Sequence, residues 1–342
     1  MKRYGDLFEK IISPDNLRMA HYEARRGKAD SREVRMFDQD PEGNVLALHD
    51  DLKSDAWHIA GYRTFETVEN GKKRIIHYDP CYRNNVVQHA IQQIAGPIML
   101  KAGIPDSFAG IPGRGIHKGV QRIRKFLSQY WDLQPIYIMK IDIRKFYRSI
   151  DHDILKRKLE NTFKDRRLLD LLGKIIDSHS PGLPIGNYLS QSLANFYLAE
   201  FDRWIKDQGF KHYARYCDDI VVIHSDKAKL NRLLADCREQ LSAVQLEIKP
   251  NAQVFPIERS GGLDFLGYVF TRHRVLLRKS IERRFRRTAL RYQREPTRKN
   301  LERVTAYYGW LKWLSHGDRL WSSVFHKTLD EMQKEIKDDS TL

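Results

Sequence analysis

The chain has 342 residues, 41% of them hydrophobic and 11% aromatic, which is ordinary for a folded protein and excludes an intrinsically disordered one. Sixty Lys and Arg against 44 Asp and Glu leave a net charge of +16, which points to a polyanionic partner. No apolar run approaches a membrane span and the N-terminus lacks the apolar core of a signal peptide, so no membrane partner is expected; three widely spaced cysteines (Cys81, Cys217, Cys237) form neither a disulfide framework nor a zinc knuckle, and a reducing cytoplasm is expected.

In chain order, residues 1–30 have apolar residues at helical spacing and residues 31–50 read as polar and irregular. Segment 60–79 is a β-hairpin around Asn70-Gly71, a strong turn pair, and 84–103 is a helix that Pro97 bends. A Gly-rich stretch, IPGRGIHKG, precedes a helix at about 117–131, and it is not a nucleotide P-loop, because no Lys-Ser/Thr follows at the required spacing. The run PIYIMKIDI (135–143) is a buried strand that ends on Asp142, with helices following over 151–178. One long helix is expected after LPIGNYLSQ (183–191), then strand, acidic turn and strand in HYARYCDDIVVIHSD (212–226). A helix at 227–243, a short strand at 246–248, a hairpin around LDFLGYVFTRHRVLL and a basic helical C-terminal part complete the chain.

The acidic residues carry the chemistry. In Tyr216–Cys217–Asp218–Asp219 two adjacent carboxylates sit at a β-turn, where mutual repulsion requires an offset. A divalent cation supplies one; a solvated hairpin turn is the bland alternative. Asp142 ends a buried strand, where an unpaired carboxylate is costly, and it either caps the strand or joins the pair around metal. Three such carboxylates suit a two-metal centre, in which ions about 4 Å apart activate an attacking hydroxyl and stabilise the leaving group. His77, His89 and His117 lack metal-ligand spacing and read as structural residues or phosphate contacts.

Together these stretches resemble the palm motifs of reverse transcriptases: DIRKFYRSI the first, LPIGNYLSQSLAN the loop-helix motif, RYCDDIVV the YxDD hairpin, and LEIKPN with DFLGYVF the lysine-bearing and primer-grip segments. RIIHYDPCYRNNVVQHAI and SFAGIPGRGIHKG resemble the fingers motifs, so the likeness spans roughly residues 10–320. The resemblance implies an α+β right-hand polymerase with fingers and N-terminal extension over 1–135, a palm over 136–275 carrying a fingers insertion near 160–180, and a basic helical thumb over 276–342. It implies Asp142, Asp218 and Asp219 as metal ligands, with the Ile143 carbonyl, for two Mg²⁺ ions for which Mn²⁺ substitutes. Tyr147, five residues past Asp142, matches the ring that excludes a 2′-OH, and Phe146 beside it is either part of that pocket or core.

Lys73 and Arg74, with Lys72 as the alternative, are the implied donors to the incoming triphosphate. Ile185, Gly186 and Gln191 belong to the loop against the incoming nucleotide. Arg114, Tyr216, Leu266, Gly267, Tyr268, Arg283 and Arg287 are the implied template–primer contacts, the last two in a dense basic set over 278–300. Lys249 is the nearest candidate general acid, although the position where relatives often carry lysine holds Ala252.

The loop LPIGNYLSQ departs from retroviral and group II intron enzymes, which place Gln before the Gly and usually Ser-Pro at its end; here stand Ile185 and Ser190–Gln191. An apolar residue there either only packs or removes one hydrogen bond near the nascent pair, a loss of about 1 kcal/mol in discrimination. The pattern is similar to reverse transcriptases of diversity-generating retroelements, as are NLRMAHYEARRGK and YYGWLKW. That likeness implies error-prone copying of a template RNA, with errors at adenines, into cDNA that diversifies a target gene. The implied partners are template RNA, the RNA/cDNA duplex, dNTPs and a small basic pentameric accessory protein. The rivals are a retron- or phage-defence-type enzyme of ordinary fidelity and, remotely, a non-catalytic RNA-binding scaffold.

Overall fold

In the computed structural model the described residues are 3–69, 72–130, 135–258, 261–325, 327–332 and 334. They form two compact units, one made of Met1–Gly113, Ile141–Ile220 and Leu233–Ala252, the other of Arg114–Lys140, Val221–Arg232 and Gln253–Leu342.

The first unit opens with four helices, α1 (Phe8–Ile12), α2 (Pro14–Arg25), α3 (Arg32–Asp38) and α4 (Pro41–Lys53). The last two correct the irregular reading of 31–50. Asp40 accepts the Gly43 N–H and Pro41 takes the first helical position, a strong start signal, and Val45, Leu48 and Leu52 then bury one face. Strands β1 (Arg63–Glu69) and β2 (Lys72–Tyr78) pair antiparallel, Glu69 opposite Lys72, as the hairpin reading requires; Asn70 and Gly71 lie outside the described residues. Helix α5 (Tyr82–Ala102) contains Pro97 and packs on α2.

After α6 (Ile116–Ser128) comes β3 (Tyr137–Asp142), then a 3₁₀ turn (Phe146–Ser149), α7 (His152–Thr162) and α8 (Arg166–Asp177). Residue 131, the expected end of α6, is outside the described residues. In α8 the buried Leu168, Leu171, Leu172, Ile175 and Ile176 recur at i, i+3, i+4, i+7 and i+8, which makes one apolar stripe. The long helix expected after the loop is two, α9 (Ser190–Tyr197) and α10 (Ala199–Asp207), because Leu198 takes ψ −2° and interrupts the first.

Strands β4 (Tyr213–Tyr216) and β5 (Asp219–His224) precede α11 (Lys227–Ser242) and β6 (Gln253–Pro256). The strand expected at 246–248 is only an isolated bridge from Ile248 to Ile143, and the regular pairing comes later, where β6 runs antiparallel to β3. The sheet order is β4-β5-β3-β6. In the second unit β7 (Leu263–Phe265), β8 (Tyr268–Phe270) and β9 (Val275–Leu277) form a meander, followed by α12 (Lys279–Arg294), α13 (Arg298–Leu311) and α14 (Gly317–Ser322). Helix α12 buries Phe285, Ala289 and Tyr292 and leaves its arginines outward.

Asp165 shows how the first unit is tied together. It caps α8 by accepting Leu168 N–H at 3.3 Å, and its other oxygen accepts Leu7 and Phe8 N–H at 2.7 and 2.8 Å, 157 or more residues away in sequence. Asp165→Ala removes a cap and strands two amides, so urea unfolding followed by circular dichroism should show a loss of about 2–3 kcal/mol. A loss under about 0.5 kcal/mol, typical of an ordinary surface change, would contradict this linkage.

Candidate active site

Strands β4 and β5 meet at a two-residue turn, Cys217–Asp218. Cys217 has φ +58°, a left-handed conformation that costs a non-glycine residue on the order of 1–3 kcal/mol and persists only when its surroundings hold it. Arg215 supplies part of that hold, since its Nη1 donates to the Cys217 carbonyl at 3.0 Å. Arg215 in turn is 1% exposed and Asp202 on α10 is 0% exposed. Their pairing is bidentate, Nε to Oδ1 at 2.8 Å and Nη2 to Oδ2 at 2.6 Å, and the Tyr213 hydroxyl also donates to Asp202. Burial works against the Arg215 charge, but the Asp202 carboxylate outweighs it and the guanidinium is held above its usual range.

The same arginine reaches two further parts of the chain, α9 and the segment 106–109. It donates to Asn195 Oδ1 on α9 at 3.0 Å, its backbone N–H donates to Asp106, and its carbonyl accepts the Phe108 N–H. Asn195 closes the ring by donating to the Ala109 carbonyl at 2.8 Å. Sequence reasoning missed Asp202 and Arg215. The signal was available: an Asp on the buried stripe of AEFDRWIKD, beside Phe201 and Ile205, and an Arg in an otherwise apolar strand.

Asp142 lies beside this turn. The Ile143 N–H donates to the Asp218 carbonyl at 3.2 Å, which fixes the end of β3 against the turn. On its other side, Lys249 N–H donates to the Asp142 carbonyl at 2.8 Å, Arg144 N–H donates to the Glu247 carbonyl at 2.7 Å, and the Lys249 ammonium is ion-paired with Asp142 Oδ1. Burial raises the Asp218 carboxyl above its usual range, the Asp142 charge raises it further, and Lys249 partly offsets both.

The expected three-carboxylate set is therefore a close pair plus Asp219. Among the described residues no group of three or more His, Cys, Asp or Glu is arranged to hold a metal. Asp219 opens β5 directly after the turn. The pair still fits a hard divalent cation, because Mg²⁺ is commonly bound through one or two carboxylates and completed by water and substrate phosphates.

The loop LPIGNYLSQ spans from this centre to the hairpin. Leu183 N–H donates to the Tyr147 carbonyl at 2.8 Å, Gly186 N–H to the His77 carbonyl at 3.0 Å, Asn187 to the Tyr62 hydroxyl at 2.7 Å, and Leu189 N–H to the buried Gln88 at 3.1 Å. A Cβ on Gly186 would stand 2.2 Å from the His77 carbonyl oxygen, so the glycine is required by the end of β2. Between these anchors Ile185 is 46% exposed. Tyr147 is half-buried, accepts from the Cys217 thiol at 3.5 Å, and has its phenol pushed up by burial, whereas Phe146 is buried in the core. The Cys217 thiol is pushed up to about 11, also by burial.

A sequence profile described as reverse transcriptase (RNA-dependent DNA polymerase) matches residues 67–270, well over half of the chain. The chain belongs to the reverse transcriptase family. Relatives of this reverse transcriptase include Protein YkfC of Escherichia coli, 22% identical over 277 residues (68% of this chain, 71% of that protein). Retron Ec73 reverse transcriptase of Escherichia coli is 31% identical over 142 residues (37% of this chain, 45% of that protein). Among solved structures, telomerase from Candida albicans in complex with a fragment of telomeric RNA aligns with a TM-score of 0.51 at 10% identity, covering 80% of this chain and 57% of that one. That likeness supports the α+β right-hand polymerase fold alone. This reverse transcriptase spans about half the length of the retron enzyme and of the telomerase. Among the described residues no helix is long and apolar enough to cross a membrane.

The remaining expected residues are distributed unevenly. Lys73 is exposed on β2 at 3.9 Å from Glu66, a surface pair of little energetic weight; Arg74 lies on β2, and its side chain is outside the described residues. Gln191 packs against Gly110, and its Nε2 is buried without a hydrogen-bond partner among the described residues. Tyr216 is half-buried at the end of β4, and Arg114 is half-buried ahead of α6.

Leu266, Gly267 and Tyr268, implied as template–primer contacts, are all buried. Leu266 and Gly267 form a turn with φ +57° and +84°, a Cβ on Gly267 would meet the Trp310 ring at 2.6 Å, and the Tyr268 hydroxyl donates to the Trp310 carbonyl. Arg283 and Arg287 are exposed on α12. Of the histidines, His89 stacks on Tyr188 at 3.6 Å and burial takes it down to about 4, while His117 stacks on Trp313.

Gly186→Ala must push the loop off the end of β2, and a misplacement of about 1 Å at a positioning loop costs roughly 100-fold in rate. Steady-state incorporation on an RNA template should therefore show kcat/KM for dNTP falling 10- to 100-fold, within that estimate. An unchanged kcat/KM would show that the loop does not position the nucleotide.

Proposed function

We propose that this reverse transcriptase copies a template RNA with errors concentrated at adenines, yielding cDNA that diversifies a target gene. The observation that carries the reading is Ile185: it stands half exposed at the centre of a loop anchored to Tyr147 at one end and to His77 at the other, where an apolar side chain offers the nascent pair no hydrogen bond. In this reading Asp142 and Asp218, with Asp219 and the Ile143 carbonyl, hold two Mg²⁺ ions, or Mn²⁺ in their place. Bound metal would lower the pKa of the primer 3′-OH and neutralise charge on the leaving pyrophosphate.

The chain's own residues do the rest. Tyr147, braced by Cys217, stacks under the sugar and excludes a 2′-OH. Lys73 and Arg74, or Lys72, donate to the triphosphate. Arg114, Tyr216, Arg283 and Arg287 follow the template–primer backbone, and Leu266, Gly267 and Tyr268 act as a buried support beneath it. Lys249, now paired with Asp142, is the candidate proton donor to pyrophosphate. Template RNA, the RNA/cDNA duplex and dNTPs are the partners, together with a small basic pentameric accessory protein, in a cytoplasmic setting. A retron-type enzyme of ordinary fidelity is the second reading, favoured by the 31% identity to Retron Ec73 reverse transcriptase.

Primer extension on a defined RNA template, with sequencing of products from wild type and Ile185→Gln, separates the two. The first reading expects errors opposite template adenines that fall several-fold in the variant, as one restored hydrogen bond of about 1 kcal/mol would give. Low, evenly spread errors in both proteins would instead favour the retron-type enzyme.

A further inference from the structure

The second unit carries a concavity of about 330 Å³ between α6 and the β8–β9 turn. Its wall is basic: Arg124 and Lys125 from α6, and Arg272 and Arg274 from the turn, with His273 between them. Among the described residues no Asp or Glu lines it. Arg272 is satisfied by Glu258, at 2.6 Å. Arg124, Lys125 and Arg274 are exposed and make no ion pair among the described residues, whereas Arg18, Arg25, Arg83, Arg144, Arg215 and Arg278 all do. Like charges converging on a hollow repel each other, and an anion seated there removes that cost.

The arrangement is held in place before any ligand arrives. Helix α6 buries Val120, Ile123, Phe126 and Leu127, which directs Arg124, Lys125 and Ser128 to the other face. The turn is closed by Thr271 N–H donating to the Arg274 carbonyl at 2.8 Å and Arg274 N–H donating to Thr271 Oγ1 at 3.0 Å. Val275 and Ser315 then lock it to the connection between α13 and α14 through bonds of 2.8 and 3.0 Å. This turn lies at the opposite end of β8 from Leu266–Gly267, and the cations lie in the second half of α6, away from Arg114.

We propose that this concavity binds backbone phosphates of single-stranded template RNA flanking the copied region. Arginine and lysine on a concave wall are the donors that phosphodiesters select. A concavity of about 330 Å³ has room to seat one nucleotide's phosphate and sugar and cannot enclose a duplex. During reverse transcription the single-stranded nucleic acid in the complex is the template not yet copied.

The test uses the full chain and two probes that share one primer–template duplex, one with a short 5′ template overhang and one with a long single-stranded 5′ RNA extension. Binding is measured across a salt series for wild type and Arg124→Gln/Lys125→Gln/Arg274→Gln, three exposed positions outside the active site. The expected result is an unchanged Kd for the short probe and about a tenfold weaker Kd for the long one. Three lost single-strand contacts at about 0.7 each also make the log K against log salt slope for the long probe shallower by about 2. Unchanged binding of both probes would overturn the proposal, and an equal loss on both would assign these cations to the duplex instead, which also overturns it.

Discussion

Asp202 and Arg215 carry opposite charges where water does not reach, and removing either alone would leave an uncompensated buried charge. A buried ion pair is weak grounds for stability, since desolvation consumes most of the Coulomb gain. Its consequence here is geometric. With Nε and Nη2 committed to Asp202, the remaining Nη1 is aimed at Asn195 and at the carbonyl of Cys217. That bond supports a left-handed cysteine that would otherwise relax, and the cysteine sets the direction of Asp218. Helices α9 and α10 and the acidic turn are thus referred to one guanidinium, and the segment 106–109 to the backbone of the same arginine.

Asp218 then depends on Asp142 in the opposite sense. The backbone bond from Ile143 to Asp218 brings two carboxylates together whose charges raise each other's cost, and the Lys249 ammonium bears on both. Such a pair is poised for a cation: attraction to a divalent ion would replace repulsion, and waters and phosphates complete the shell. The loop from Leu183 to Gln191 carries this order outward, since it hangs from the Tyr147 carbonyl on one side and from the end of β2 on the other. A shift at the hairpin is therefore passed through the loop to the backbone of Tyr147.

Much of this was legible in the sequence where local pattern and chemistry agree. The apolar run into Asp142, the acidic turn after Tyr216, the hairpin over 63–78 and the amphipathic α8 each state their own structure in a few residues. Helices α3 and α4 were missed because charged residues mask a short apolar stripe, although Asp40–Pro41 marks the start of the second. The pairing of β6 with β3 depends on a partner far away in the chain and leaves no local period. Gly186 was placed only in the loop against the incoming nucleotide, and the structure adds that the His77 carbonyl demands a glycine there. Asp202 and Arg215 were passed over because each looks like a surface charge until the apolar neighbours on both sides are counted together.

The most direct test of the positioning role is the single-turnover rate of nucleotide addition on an RNA template by Asp202→Leu/Arg215→Met, compared with wild type. Replacing both members of a buried pair by apolar residues commonly leaves a protein folded and of similar stability, which circular dichroism would verify. With the donor to Cys217 gone, the account predicts a folded protein whose rate falls on the order of 100-fold, the scale of a misplaced reacting group. A folded variant that adds nucleotides at the wild-type rate would contradict it and leave the pair as packing alone.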